Sequence, residues 1–281
     1  MGVRRAVELA IAETENKSVE KVFSLGPLVH NPAVLSDLKK RGVEILNELP
    51  PPHDSSSFSL LSSLIIRAHG ISPEVELSLR DKGRHIIDAT CPKVKASQIK
   101  AEELSLAGYN LFLAGEARHA EIESILGYAV QAPFCAIIGN ADEARDAAAG
   151  LYRINSGAKT ALLGQTTISD EEYKNIGEEI KSFFPNLEII QSICTATNDR
   201  QEALRRLLRH VDAVIVAGGR ESSNTRRLFT IAKDSGKPCV LAENAAEIPE
   251  AFFAYKNIGL AAGASTPSSV IEEIENYLTG N

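Results

Sequence analysis

The segment HIIDATCP, residues 85–92, joins a short apolar run to a polar turn and a proline. An apolar run followed by Cys91 and Pro92 is typical of a strand that leads directly into a helix, because proline is tolerated in the first helical turn. We therefore predict a strand that ends near Asp88 and a helix that begins near Lys93. The partial positive charge at that helix start favours the thiolate form of Cys91.

A second junction of the same kind lies around Cys194. The apolar run at 187–190 precedes the segment SICTAT at 192–197. A lone cysteine is more often a small buried hydrophobe than a functional group. Two cysteines at strand ends, each beside hydroxyl side chains, instead indicate one shared site. Cys135 and Cys239 lie inside strand-like runs, and we expect both to be buried in the core.

Composition excludes several classes of protein. The 281 residues are 44% hydrophobic, which is ordinary for a globular protein of one large domain or two to three small ones. Thirty Lys and Arg against 37 Asp and Glu give a net charge of −7, which argues against nucleic acid as the partner. No apolar run reaches about 18 residues, so we expect no membrane span. Four scattered cysteines without a CxxC pair indicate a reducing, cytoplasmic location.

One pattern recurs along the chain: a continuous apolar strand, small residues, a polar cluster and an amphipathic helix. The apolar runs lie at 64–66, 111–113, 161–163, 214–216 and 258–260. Continuous apolar strands that alternate with helices predict parallel sheets covered on both faces. In such sheets ligands bind beyond the C-terminal ends of the strands, where these polar clusters fall.

The spacing predicts an α/β protein of three small parallel-sheet units, at residues 1–90, 91–192 and 193–281. We expect the units to pack directly, with their loops facing a common centre. The Pro- and Ser-rich residues 48–59 predict an exposed loop.

Candidate binding residues follow the predicted strands. His30, His69 and His119 come at strand ends, where imidazoles can donate to phosphate oxygens. Glu121 opens the next helix, either as a partner for the helix dipole or as a proton relay. Hydroxyl and amide side chains at other strand ends act either as helix caps or as an anion site. These are Thr166, Thr167, Ser222, Ser223, Asn224 and Ser265.

These residues together predict an anion-binding pocket with two thiolates. Zinc could bind in this pocket, although structural zinc sites usually contain pairs of Cys or His ligands a few positions apart, which this sequence lacks. Single, widely separated cysteines suit an interdomain iron–sulfur cluster at least as well.

Nine motifs along nearly the whole chain resemble those of the 4-hydroxy-3-methylbut-2-enyl diphosphate reductase family, also called the IspH or LytB family. The motifs are GVRRAV (2–7), GPLVHNP (26–32), RAHGIS (67–72), DATCPKV (88–94), HAEI (119–122), GQTTIS (164–169), ICTATNDRQEA (193–203), GGRESSNTRRL (218–228) and AGASTP (262–267). The order and number of these motifs make the resemblance specific.

The resemblance implies three α/β units in a pseudo-threefold arrangement around a central 4Fe-4S cluster. Cys91 and Cys194 match cluster ligands, Glu121 matches the proton-relay glutamate, and the pair Thr166 and Thr167 faces the substrate. The residues that match the holders of the substrate diphosphate are His30, His69, His119, Ser222, Ser223, Asn224 and Ser265.

The implied reaction removes the allylic hydroxyl of the diphosphate substrate as water. It consumes two electrons and two protons and gives isopentenyl and dimethylallyl diphosphates. The electrons would come from a ferredoxin or a flavodoxin.

The sequence departs from the family pattern in three places. The family usually has HPEV where residues 119–122 are HAEI, and residues 197–201 rearrange the common TxNRQ. The family's first cluster cysteine lies in G-F-C-x-G-V, and Met1 stands at x. We therefore expect the 281-residue chain to hold a cluster poorly. Two alternatives remain at this point: a cluster-free diphosphate-binding relative without redox activity, and a zinc hydrolase that uses Cys91, Cys194 and a histidine.

Overall fold

A computed structural model describes residues 2–47, 62–80 and 85–280. The loop predicted at 48–59 lies outside the described residues. Helices and strands alternate along the described chain. The helices are α1 (Gly2–Thr14), α2 (Pro32–Lys40), α3 (Pro73–Arg80), α4 (Pro92–Leu106), α5 (Ala120–Tyr128), α6 (Ala141–Ile154), α7 (Asp170–Phe183), α8 (Thr195–Leu207), α9 (Ser223–Asp234) and α10 (Ser268–Thr279).

The strands are short. They are β1 (Lys21–Leu25), β2 (Val43–Leu46), β3 (Ser62–Ile66), β4 (His85–Asp88), β5 (Asn110–Ala114), β6 (Cys135–Ile138), β7 (Thr160–Gly164), β8 (Glu188–Ile189), β9 (Ala213–Ala217), β10 (Cys239–Ala242) and β11 (Ile258–Ala262). They form three small sheets, and the described strand pairs are parallel. The predicted class, α/β with three small parallel sheets, is confirmed.

The chain divides into two compact units. Unit 1 contains Val3–Ser62 and Thr195–Asn281, and unit 2 contains Gly2 with Ser63–Cys194. The division into three units at residues 1–90, 91–192 and 193–281 stays a prediction.

Unit 2 is built on a sheet with the strand order β6-β5-β7-β8. Its two central strands are buried along their whole length, because helices cover both faces. Ala114 at the end of β5 lies opposite Gly164 at the end of β7. The chain leaves β5 for β6 on one side and returns to β7 on the other. This reversal opens a crevice beyond the ends of β5 and β7, the usual ligand position in such sheets.

Unit 1 has the same feature in its sheet β10-β9-β11. Strand β9 is fully buried, and Ala217 at its end lies opposite Ala262 of β11. The order reverses between β9 and β11, which opens a second crevice beyond their ends. The parallel pair β1 and β2 completes the described strands of this unit.

Local signals explain where the helices begin. Pro92 is the first residue of α4, as predicted, and Cys91 directly precedes it. Asn31 caps α2 by accepting the Val34 N–H at 3.2 Å. None of the described helices combines the length and the apolar composition that a bilayer-spanning helix needs.

The expectation of buried core positions for Cys135 and Cys239 is wrong. Both are only partly buried, although both pack against core residues. Each is the first residue of an edge strand, β6 or β10. An edge strand has a neighbour on one side only, which leaves its side chains more exposed than those of a central strand.

Candidate active site

A buried carboxylate lies at the crevice of unit 2. Glu121 is 2% exposed and stands in the first turn of α5, which follows β5. Its Oε1 accepts the backbone N–H of Thr166 at 2.6 Å, and its Oε2 accepts the hydroxyl of Thr166 at 3.0 Å. Thr166 follows β7, so the two residues meet because parallel strands β5 and β7 end at the same edge. Two donors on one carboxylate hold it in a single orientation.

The imidazole of His119 lies beside this carboxylate in the chain, and the ring of His69 contacts that imidazole. His119 is the N-cap of α5, and its Nδ1 accepts the Glu121 N–H at 3.2 Å. An accepting Nδ1 carries no proton, so the proton of a neutral His119 ring is on Nε2. The ring of His69 meets that of His119 edge to face, with centroids 5.1 Å apart. Unit 2 thus brings together three of the predicted residues around one acid.

Backbone hydrogen bonds join both predicted cluster cysteines to this region. The Cys194 N–H donates to the Thr166 carbonyl at 2.9 Å, so Thr166 contacts Glu121 on one side and the Cys194 turn on the other. The Cys91 N–H donates to the carbonyl of Ala68, the residue before His69, at 2.9 Å. Both thiols are free. Gly2 also lies in this region, because a β-carbon on it would overlap Cys91.

Three buried polar residues that the sequence analysis did not single out support these positions. Gln98 of α4 donates to the Ser124 hydroxyl at 3.2 Å, and Ser124 of α5 contacts the His69 carbonyl at 2.8 Å. Gln165 accepts the Glu116 N–H at 3.0 Å. Gln98 lies two helical turns after Cys91, so a buried polar residue at helical spacing was the signal that could have found it.

Thr167 directly follows Thr166 in unit 2, and unit 1 brings together the other predicted binding residues. Ser222 caps α9 by accepting the Thr225 N–H at 3.4 Å, and Ser223 and Asn224 form the first turn. Ser265 follows β11, which pairs with β9 at the same edge. His30 joins them, since a β-carbon on Gly219 would overlap the His30 carbonyl oxygen.

Asn224 is the clearest candidate for a ligand-binding side chain in unit 1. It is 5% exposed, and neither its Oδ1 nor its Nδ2 has a hydrogen-bond partner among the described residues. The Ser265 hydroxyl is likewise buried without a partner there. Leaving a buried polar group unpaired costs about 1–3 kcal/mol, so these atoms are best explained by a polar ligand or ordered water.

Comparison with known proteins now decides the family. The LytB protein family matches residues 1–279. The chain belongs to the LytB family. It is 43% identical over 283 residues to the 4-hydroxy-3-methylbut-2-enyl diphosphate reductase of Treponema denticola, with 99% of this chain and 94% of the relative covered. It is 38% identical over 278 residues to the enzyme of that name from Aquifex aeolicus, with 99% and 91% covered.

Solved structures of the LytB family share the fold. The E-1-hydroxy-2-methyl-but-2-enyl-4-diphosphate reductase of Plasmodium falciparum superposes with a TM-score of 0.88 at 27% identity, covering 99% of this chain and 84% of that one. A second structure, of (E)-4-hydroxy-3-methyl-but-2-enyl diphosphate reductase, gives a TM-score of 0.69 at 35% identity, with 100% and 95% covered. The resemblance read from the sequence motifs is confirmed.

Proposed function

We propose that this chain is a 4-hydroxy-3-methylbut-2-enyl diphosphate reductase of the non-mevalonate isoprenoid pathway. It converts the allylic diphosphate to isopentenyl and dimethylallyl diphosphates, using two electrons and two protons and releasing water. The observation that carries the proposal is the buried Glu121 carboxylate, oriented by Thr166 and adjacent to His119. A reductive dehydroxylation needs such a positioned proton source.

The proposed cofactor is a 4Fe-4S cluster, for which unit 2 supplies two thiol ligands. Cys91 and Cys194 are free thiols beyond strand ends, and thiolates are the ligands that iron–sulfur clusters take. Burial raises the pKa of the Cys135 thiol to about 11 and also raises that of Cys239, so both stay protonated and are poor ligands. When bound, the cluster supplies the electrons and an iron that acts as a Lewis acid on the hydroxyl group.

We assign the substrate diphosphate to polar side chains that follow strand ends or open helices. The residues are His30, His69, His119, Ser222, Ser223, Asn224 and Ser265. Asn224 and Ser265 supply buried polar atoms that have no partner in the described residues, and the start of α9 adds a partial positive charge. His119, with its proton on Nε2, supplies a further donor.

Glu121 is assigned as the proton relay, and Thr166 and Thr167 as the pair that faces the substrate. Thr166 donates to both oxygens of Glu121, which keeps the carboxyl group aimed while its proton is given and regained. The electron donor is a ferredoxin or a flavodoxin. A cytoplasmic location agrees with four free cysteines.

Anaerobic reconstitution with iron and sulfide, followed by metal analysis and a turnover assay, tests the proposal. We expect iron and acid-labile sulfide in equal amounts, below the full four of each because two matching cysteines hold the cluster poorly, together with release of the two isomeric diphosphates. Diphosphate binding without iron would instead identify a cluster-free relative. Stoichiometric zinc with hydrolytic activity would favour the zinc hydrolase.

A further inference from the structure

The first turn of α9 contains no acidic residue. Helices α5, α6 and α7 carry acids there, whereas α9, like α1, α2, α4, α8 and α10, has none. Arg226 follows instead, one turn after the capping Ser222. Because the N-terminal end of a helix carries a partial positive charge, acids normally stabilise it and arginines do not. An arginine at this position favours a bound anion.

The side chain of Arg226 turns back toward the start of its own helix. Its Nη2 donates to the Ser223 hydroxyl at 3.2 Å, and its Nη1 donates to the Arg220 carbonyl at 3.4 Å. The other side of the same turn is held by acids, since the Arg220 N–H donates to Glu243 at 2.8 Å and its guanidinium pairs with Glu247. The turn between β9 and α9 is therefore held from two sides.

The contact with Arg226 decides how Ser223 can interact with a ligand. A serine hydroxyl has one hydrogen and can accept from other donors. When the guanidinium donates to the oxygen, the hydroxyl hydrogen is directed away from Arg226, which presents Ser223 as a donor. A diphosphate oxygen is an acceptor and requires such a donor. The neighbouring Asn224, buried and without a partner among the described residues, marks the same place as a ligand position.

We propose that Arg226 is a positioning residue for the diphosphate group. It holds Ser223 in its donor orientation and adds positive charge to the start of α9. This inference rests on the proposed function, because it assumes that the pocket at Ser223 and Asn224 binds the diphosphate.

Calorimetry with inorganic diphosphate on the full chain tests the inference. We expect Arg226→Gln to weaken binding about tenfold, as loss of a charged hydrogen-bond donor does. The dependence of affinity on salt should also become shallower, because a charge is lost. Arg226→Lys should recover part of the affinity. The matched control is Arg205→Gln, which removes an exposed arginine from α8 and should leave binding unchanged.

A double-mutant cycle separates positioning from a general structural effect. In the Ser223→Ala background, Arg226→Gln should weaken binding only about threefold instead of about tenfold, because Arg226 then has no hydroxyl to orient and acts through its charge alone. Fully additive losses, or an Arg226→Gln affinity within twofold of the wild type, would overturn the inference. If Arg226→Gln lowers the unfolding temperature, the lysine variant decides: recovery of affinity supports the inference and no recovery refutes it. A wild-type chain that binds no diphosphate would overturn the proposed pocket and this inference with it.

Discussion

Replacement of Glu121 by glutamine tests the proposed proton relay with little change of shape. Both oxygens of the carboxylate accept from Thr166, one from its N–H at 2.6 Å and one from its hydroxyl at 3.0 Å. The backbone N–H cannot turn, so the single oxygen of glutamine should pair with it. The new NH₂ group then faces the hydroxyl, which can rotate and accept. The loss of a charged partner should lower the free energy of unfolding by about 1–3 kcal/mol.

The expected loss of turnover is larger than this loss of stability. An amide cannot deliver a proton, and removal of a general acid typically slows a reaction about 10²–10⁴-fold. That factor corresponds to about 3–5 kcal/mol in the activation barrier. A domain is usually stable by about 5–15 kcal/mol, so the variant should still be folded.

The assay is turnover of cluster-loaded protein under anaerobic conditions, together with calorimetric affinity for the substrate and the unfolding temperature. Glu123→Gln is the matched control, because Glu123 lies exposed in the same first turn of α5. We expect Glu121→Gln to bind substrate within about threefold of the wild type and to turn over at least about a hundredfold more slowly. Turnover close to that of Glu123→Gln would remove Glu121 from the mechanism.

Four further predictions concern the rest of the site. Asn224→Ala should weaken binding of inorganic diphosphate about tenfold or more, as measured by calorimetry. It should not lower the unfolding temperature, because the Asn224 amide has no partner among the described residues. Lower stability with unchanged affinity would contradict a role in ligand binding. Gly219→Ala should also weaken that binding, because its methyl group would displace the His30 carbonyl, whereas Gly150→Ala, with nothing within 4 Å, should not; equal affinities would show that the loop adapts. Burial raises the pKa of the Cys135 thiol from 9.0 to about 11. This thiol should therefore be alkylated about a hundredfold more slowly at pH 8 than an ordinary thiol, and peptide mass mapping should show a rate that rises with pH up to about 11. A plateau of the rate near pH 9 would refute this. A Gly-Phe-Cys segment added before Met1 should raise the iron content after reconstitution relative to a Gly-Phe-Ser segment. Gly2 lies against Cys91, so a cysteine added just before Met1 would be near that thiol. Equal iron in both variants would exclude the added cysteine as a cluster ligand.

The positions of the elements could be predicted well from the sequence. The five predicted apolar runs each lie within a strand, namely β3, β5, β7, β9 and β11, and α4 starts at Pro92. The spacing of apolar residues, the prolines and the helix-capping residues affect the backbone only within a few positions along the chain. They can therefore be recognised without knowledge of the fold. Residue type at strand ends likewise indicated which side chains to consider, because parallel sheets bind ligands there.

The contacts between those side chains could not be predicted in the same way. Glu121 and Thr166 are 45 positions apart and meet only because β7, not β6, continues the sheet on that side of β5. The sequence predicted a core position for Cys135, but its place on an edge strand leaves it partly exposed. Strand order depends on how helices and sheets pack over the whole unit, which no local pattern encodes.

The sequence by itself therefore determined the α/β class, the positions of five strands, the start of α4 and the set of polar residues at strand ends. Tertiary structure alone decided that Thr166 holds both oxygens of Glu121, that Nδ1 of His119 accepts and so carries no proton, and that Asn224 is buried without a partner among the described residues. The physical reason is the distance along the chain over which each effect acts. Dihedral preferences and hydrophobic period are properties of neighbouring residues, whereas a hydrogen bond between loops exists only after the strands that carry them have paired.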